Sequence, residues 1–309
     1  MQDIWQLICS FLPLKDAARA ACVSHAFQSG WSCHPSLTFS RETMGFSENT
    51  RRQGKVTRHY NSRVGNILQK HSGVGVKTLN LEFYGPYNAN TSYCLDSWLQ
   101  IAVTPGIEEL TLLLSSNIAN YNFPCTILSD GIRHSIRELD IVGCAFRPTE
   151  GIGRMGNLKI LSLCFVHITG DELGFLLSNS FALELLELSC CSEIIFIKIP
   201  SLQRLSSLKV SQCCMLQVIE SKALNVSSFD FDGEQVQLFL GEALQVKKID
   251  ISHSGVLLYA RTMLPSSTPN LETLIIHSIG EVYTLKLKVS MDYDMHIAVV
   301  IILYTYKGD

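Results

Sequence analysis

One spacing recurs along most of this chain and constrains its fold more than any other feature. It is an apolar residue, a second three positions on, and a third two positions beyond that. The triplets are Val76-Leu79-Leu81, Ile107-Leu110-Leu112, Ile136-Leu139-Ile141, Leu158-Leu161-Leu163 and Leu183-Leu186-Leu188, then Leu205-Leu208-Val210, Val226-Phe229-Phe231, Val246-Ile249-Ile251 and Leu271-Leu274-Ile276. With the first residue as position 0, the others stand at +3 and +5. The best-formed members add Cys144, Val166, Cys191 and Cys213 at +8. Successive +3 residues lie roughly 20 to 31 positions apart, mostly about 20 to 25. A unit this short cannot bury its own apolar side. A stack of them can, because each coil covers the next.

That period and pattern are those of a leucine-rich repeat. The expected fold class is an α/β solenoid, a leucine-rich-repeat horseshoe with a parallel β concave face, over residues 76–280. Residues at 0, +3, +5 and +8 point inward, and those between them alternate outward along a strand. With parallel strands about 4.8 Å apart, nine of them span roughly 40 Å. A face of that size suits a folded protein or a peptide better than a metabolite. The candidate target-binding residues are therefore outward ones: Glu108, Glu109, Arg137, Glu138, Asp140, Lys159, Glu184, Glu187, Lys209, Asp230, Lys247 and Asp250. The first two repeats are lengthened by segments rich in Asn, Tyr and Pro, Tyr84 to Tyr93 and Ser115 to Pro124.

Composition narrows the function classes. Hydrophobic residues are 47% and charged ones 17%, so bulk disorder is excluded. A net charge of -3 gives no reason to expect nucleic acid or an anionic membrane as partner. Residues 40–75 hold a locally basic stretch and read as a basic linker and N-terminal cap, with a short helix from Arg63 to Lys70. The 11 cysteines follow no extracellular spacing, and no signal-peptide pattern opens the chain. Reduced thiols in the cytoplasm or nucleus are expected. No apolar run is long enough to cross a bilayer, the longest being Ile297 to Leu303. Residues 281–309 read as an irregular C-terminal tail, although Leu285, Leu287 and Val289 alternate with polar residues as an amphipathic strand would.

Residues 1–39 are different in kind. Ile4, Leu7, Ile8 and Phe11 share one helical face. Pro13 interrupts that helix, a second runs from Leu14 to about Val23, and Ser24 is placed to cap a third running toward Trp31. Asp3-Ile4-Trp5, Ile8, Leu12-Pro13-Leu14, the run Asp16 to Ser24, Phe27 and Trp31 resemble an F-box. The form Leu-Lys-Asp-Ala-Ala-Arg-Ala-Ala-Cys-Val-Ser is similar to plant F-box proteins with leucine-rich repeats, the grass-type family in particular. The resemblance implies a small all-α F-box over 1–39 that docks on the Skp-type adaptor of a cullin-based ubiquitin ligase, while the repeats hold an unknown target protein. It assigns adaptor binding to Ile4, Leu7, Ile8, Leu12, Pro13, Leu14, Ala18, Cys22, Val23, Phe27 and Trp31. The Leu-Pro that usually precedes the acidic residue is missing before Asp3 or lies upstream of a different start, and Phe27 stands where the family often has Trp. A leucine-rich-repeat scaffold with a degenerate F-box and no ligase role is the second reading.

Catalytic chemistry finds little support in the sequence. Gly151-Ile152-Gly153-Arg154-Met155-Gly156 matches a dinucleotide glycine pattern, but a Pro-Thr-Glu turn precedes it and a repeat strand follows. Cys191 and Cys213 fall on adjacent coils, where zinc or a disulfide is conceivable; a side chain that fills the bend and bonds to backbone is the simpler role. No histidine shares a ligand or triad spacing with Cys or acidic residues. The chain is expected to need no metal or cofactor and to perform no bond chemistry itself.

Overall fold

A computed structural model describes residues 2–46, 53–84, 88–115, 121–128, 130–149, 152–239, 245–253, 255–256, 268, 270–279 and 298–304. The chain divides into two compact units, 1–158 and 159–309. Both are built on stacked parallel strands, and the fold is an α/β leucine-rich-repeat solenoid preceded by a small helical region.

The first unit opens with three short helices, α1 (Gln2–Ser10), α2 (Leu14–Ala21) and α3 (His25–Ser32). Pro13 separates the first two by supplying an extended backbone at the N-cap of α2. Ser24 occupies the N-cap of α3 in extended conformation but makes no side-chain capping bond. α3 packs closely on α1 because residue 30 is glycine. A Cβ there would stand 2.6 Å from the Cys9 sulfur and 2.9 Å from the Trp5 carbonyl oxygen.

The stack begins one coil earlier than the triplets indicate. Strand β1 (Ser36–Phe39) pairs in parallel with β2 (Thr78–Phe83), Leu37 opposite Leu79 and Phe39 opposite Leu81. Leu37 and Phe39 are fully buried at the +3 and +5 places. Position 0 of this coil is His34, a polar residue that hides the pattern from an apolar search. It is nonetheless buried, with Nε2 2.9 Å from the Leu12 carbonyl oxygen. The segment expected to be a linker contains helix α4 (Gln53–Lys70), ten residues longer at its N-terminus than the helix expected from Arg63. Tyr60, Val64 and Leu68 form its buried stripe at i, i+4 and i+8. The Tyr60 hydroxyl lies 2.7 Å from the carbonyls of both Phe39 and Glu82, so it ties the ends of β1 and β2 together. α4 is thus the return leg of the first coil.

The next coils run through α5 (Ala89–Ala102), β3 (Glu109–Leu114), the four-residue α6 (Asp130–Arg133) and β4 (Glu138–Val142). A capping box between Asn88 and Thr91 starts α5. Trp98 on α5 packs against Phe83, with ring centroids 5.8 Å apart. Of the two long insertions, Asn88 to Tyr93 enters α5, while Tyr121 and Phe123 are buried; residues 85–87 and 116–120 lie outside the described residues.

In the second unit, β5 (Ile160–Cys164), helix α7 (Gly170–Ser178) and β6 (Leu185–Ser189) make the first coil. From there the return leg changes from helix to strand. β7 (Phe196–Ile199), β9 (Val218–Ser221) and β11 (Gln237–Phe239) form a separate three-stranded parallel sheet. They alternate with the main-sheet strands β8 (Ser207–Ser211), β10 (Ser228–Asp232) and β12 (Lys248–Ser252). These coils are the short ones, and the run Ile194-Ile195-Phe196-Ile197-Lys198-Ile199 is β-branched and aromatic, which favours a strand. β13 (Thr273–Ile279) and β14 (Ala298–Tyr304) continue the main sheet in parallel register. Residues 298–304 thus form a sheet strand within the segment read as an irregular tail. The strand expected at Leu285 to Val289 lies outside the described residues.

The inward positions behave as the spacing predicts. Leu110, Leu139, Leu161, Leu186, Leu208 and Ile249 are fully buried, and so are Cys144 and Cys191 at +8. Just after the strands, at +7, the backbone turns left-handed: Gly143 (φ 81°), Phe165 (φ 51°), Cys190 (φ 53°) and Gln212 (φ 52°). In the second unit this turn aims each amide at the next coil. Phe165 donates to the Ser189 carbonyl (2.9 Å), Cys190 to Ser211 (2.9 Å) and Gln212 to Asp232 (2.6 Å). That lateral bond offsets a conformation costing about 1–2 kcal/mol for a residue with a Cβ. At Gly143 a Cβ would come within 2.5 Å of the Leu114 carbonyl oxygen, so this corner requires glycine.

Two outcomes follow from this packing. Leu161→Ala or Leu186→Ala lowers unfolding free energy by about 2–5 kcal/mol in denaturant titration, whereas the exposed Lys159→Ala changes it by less than about 0.5 kcal/mol. Equal effects would contradict lateral burial. The second concerns His71, which is buried and held neutral below the usual histidine range, chiefly by that burial. The Gly73 amide donates to its Nδ1 (3.0 Å), so Nε2 carries the proton and donates to the His34 carbonyl (3.1 Å). The unfolded chain therefore takes up the proton first as pH falls. Stability is fully present above roughly pH 6.5 and declines below it. His71→Gln flattens that decline in acid titrations of the melting midpoint; an unchanged slope would exclude His71 as its source.

Candidate functional site

Two surfaces carry the candidate residues. The first is the outer face of the helical region. Trp5 and Cys9 turn toward α3, with the Trp5 ring edge-on to Phe27 at 4.9 Å and Cys9 fully buried. The opposite face of α1 is left in water: Ile4 is 58% exposed, Leu7 57%, Ile8 39% and Phe11 79%. Val23, just beyond α2, is 84% exposed, and Pro13 and Cys22 are exposed as well. Leu12, Leu14, Ala18 and Phe27 are half-buried. Trp31 is largely buried and reaches the surface only at the floor of the clefts beside α2. Phe11, not among the adaptor-binding residues assigned from the sequence, is the most exposed residue of the α1 face; its i+7 spacing from Ile4 was the available signal.

Two clefts flank α2. One, of about 780 Å³, is walled by Phe11, Leu12, Pro13, Leu14, Trp31 and Arg63 among others. The other, of about 510 Å³, is walled by Ala18, Cys22, Val23, Trp31 and Ile67 among others. Phe11, Leu12 and Pro13 after α1, with the apolar residues of α2, thus border concave ground, while Ile4, Leu7 and Ile8 form a ridge. Such a surface can seat helices of another protein, with each fully buried large apolar side chain contributing roughly 1.5–3 kcal/mol.

The second surface is the outward side of the main strands. In the first unit Glu108 sits between two cations, 2.9 Å from the Lys77 ammonium and 3.2 Å from the Arg137 guanidinium. The Lys77 hydrogen bond is the main cause holding its carboxyl below the usual range. One position further along, Glu109 stands opposite Glu138, and Asp140 opposite Thr111. Glu109 accepts a hydrogen bond from the Thr78 hydroxyl (3.2 Å). Burial first, then the charges of Glu109 and Asp140, push the Glu138 carboxyl up. The arrangement is a neutralised row beside an acidic one.

The second unit repeats this arrangement. Lys159 pairs with Glu184 at 2.9 Å, Lys209 with Glu187 at 3.7 Å, and Lys247 with Glu272 at 2.8 Å. Asp250 accepts from the His277 ring at 3.1 Å. Asp230 lies in register with Asp250 on one side and Lys209 on the other. Its carboxyl is pushed up, first by burial and then by Asp250. All twelve candidates sit on the outward face of their strands or at the strand entry, half-buried or exposed. The structure brings Glu108 and Arg137 together, likewise Glu109, Glu138 and Asp140, and in the second unit Lys159 with Glu184, Glu187 with Lys209, and Asp230 with Asp250. Lys247 joins Glu272.

No group of three or more His, Cys, Asp or Glu side chains has metal-binding geometry among the described residues. The turn at Gly153 (φ 62°) is closed by a hydrogen bond from the Arg133 guanidinium to the Ile152 carbonyl, and 152–158 contains no α-helix to receive a phosphate. No described helix is long and apolar enough to cross a membrane.

Glu108→Gln removes both ion pairs of the first unit's row. It should lower stability by no more than about 1 kcal/mol, with the loss shrinking at high salt, because these pairs are partly exposed. A larger, salt-independent loss would show that the row is structural.

Comparison with known proteins adds sequence kinship to this geometry. The family described as At1g61320/AtMIF1, LRR domain, matches residues 67–303. An Arabidopsis thaliana protein named F-box/LRR-repeat protein At3g03360 is 24% identical over 227 residues, covering 70% of this chain and 42% of that protein. The chain spans less than half the length of that relative.

Proposed function

We propose, for a chain that belongs to the plant leucine-rich-repeat family described as At1g61320/AtMIF1, LRR domain, that it is the substrate-receptor subunit of an SCF-type (Skp–cullin–F-box) ubiquitin ligase. The observation that carries this reading is the apolar face of α1, with Ile4, Leu7, Ile8 and Phe11 in water above a packed helical region. A short helical region does not leave four large apolar side chains uncovered on one face without a partner to cover them. In this reading the Skp-type adaptor covers them, and Pro13, Leu14 and Val23 extend the contact.

The outward strand face binds the target protein. Its lysines and arginine at the strand entries are engaged with glutamates, and carboxylates crowd one another at Glu109 beside Glu138 and at Asp230 beside Asp250, which makes the face acidic at those two places. A target segment with basic side chains is the complement. The receptor works by proximity, raising the effective concentration of target lysines near a conjugating enzyme held elsewhere in the assembly. It is a non-catalytic subunit of the cytoplasm or nucleus.

Adaptor capture by the full chain tests the reading directly. Leu7→Glu or Phe11→Glu should weaken it about tenfold or more, while the melting midpoint stays near wild type because both side chains are exposed. A wild-type chain that captures no adaptor leaves the repeats as an interaction scaffold without ligase role. For the target, Glu109→Lys combined with Glu138→Lys abolishes binding that Lys159→Ala leaves intact; survival of both would move recognition off the strand face.

A further inference from the structure

Five of the chain's 11 cysteines belong to neighbouring corners of the second unit: Cys164, Cys190, Cys191, Cys213 and Cys214. Two of them share one place in successive coils. Ser189 of β6 is in register with Ser211 of β8, and Cys191 and Cys213 stand two residues beyond each. Both are buried, at 0% and 5% exposure. The two sulfurs adopt the same pose, each over the carbonyl two residues back, 3.5 Å from Ser189 and 3.6 Å from Ser211. The Cys190 amide donates across to the Ser211 carbonyl at 2.9 Å, locking the corners side by side. In-register parallel strands lie about 4.8 Å apart, inside the roughly 4.4–6.8 Å range of Cα separations that a disulfide spans.

We propose that Cys191 and Cys213 are a redox modification site, closing to a reversible disulfide that staples two successive coils when the protein meets hydrogen peroxide. Each thiol donates to backbone, Cys191 to the Leu163 and Ser189 carbonyls at 3.5 Å and Cys213 to the Ser211 carbonyl at 3.6 Å. The neighbouring Cys213 and then burial push the Cys191 thiol up, while the proximity of Cys191 holds Cys213 below its ordinary value. Cys213, the less buried of the two, is the sulfur that meets peroxide, and Cys191 is the one that resolves the product.

The steps balance as follows. The Cys213 thiolate attacks one peroxide oxygen; the O–O bond breaks, and hydroxide leaves and takes up the proton the thiol had released, forming water. Cys213 is now a sulfenic acid. The Cys191 sulfur attacks the Cys213 sulfur, the S–O bond breaks, and the departing hydroxide takes the Cys191 proton as a second water. Two thiols are oxidised by two electrons and one peroxide is reduced.

The test uses the full chain, reduced and then exposed to hydrogen peroxide, with thiol counting under denaturant and a non-reducing peptide map. The expected result is the loss of two of the 11 thiols, a single Cys191–Cys213 cross-linked peptide pair, and full recovery with dithiothreitol. The apparent melting temperature of the oxidised chain should rise by about 3 °C or more. Cys213→Ser should lose both the cross-link and the rise, while Cys190→Ser combined with Cys214→Ser keeps them. A map showing Cys190–Cys214 instead, oxidation only to sulfinic acid, or no thiol loss would overturn the proposal. The wild-type map decides the matter even if a variant fails to fold.

Discussion

Lateral burial between coils is the interaction on which the rest of this structure depends. No coil encloses its own apolar residues; Leu161 is covered because Leu186 lies in register beside it, and Leu186 because Leu208 does. Every backbone hydrogen bond of the main sheet runs in the same direction as this burial. The left-handed corners at Phe165, Cys190 and Gln212 extend it past the strand ends with one more lateral bond each. Because the coils are held side by side at a fixed spacing, equivalent residues form straight rows. The ion-pair rows, the acidic rows and the row of +8 thiols are all consequences of one stacking rule.

The same rule explains what was legible in the sequence. The triplet pattern identifies the strands because an inward +3 and +5 residue has no alternative to being apolar. It misses β1 because His34 stands at position 0 and satisfies its ring nitrogens with backbone partners, an arrangement that no count of apolar residues registers. It misreads α4 because that helix buries only a narrow stripe, Tyr60, Val64 and Leu68, within a basic surface that resembles a linker in composition. The return legs in the second unit were illegible for another reason. Their strand form follows from coil length as much as from the Ile-rich run after Cys191, and the outward face of β7, β9 and β11 is mixed, with Lys198, Glu220 and Phe239 in one lateral row.

The candidate site was legible to different depths at its two ends. On α1, helical spacing alone groups Ile4, Leu7, Ile8 and Phe11, but it cannot tell whether the group faces inward or outward. Trp5 and Cys9 decide that, since Gly30 admits α3 only on their side. Trp31, on α3, is largely buried and shares the walls of the clefts with Ile67 of α4. On the strands, alternation gives the outward residues but not their partners. That Glu108 is shared between Lys77 and Arg137 depends on coils 29 to 31 residues apart in sequence lying adjacent in space.

That pairing changes what the strand face can offer. A lysine already engaged at 2.8 or 2.9 Å by a neighbouring glutamate must give up that contact before it contributes to a new one, so the net gain is small. Carboxylates that face other carboxylates are in the opposite position. Partial burial first, then the like charges beside them, push the Glu138 and Asp230 carboxyls up, with Lys209 and Lys248 opposing this at Asp230. Under the proposed target-binding role, an added cation therefore gains more beside crowded carboxylates than beside lysines already paired. A partner that places guanidinium or ammonium groups at those two spacings gains from a cost already present in the unbound face.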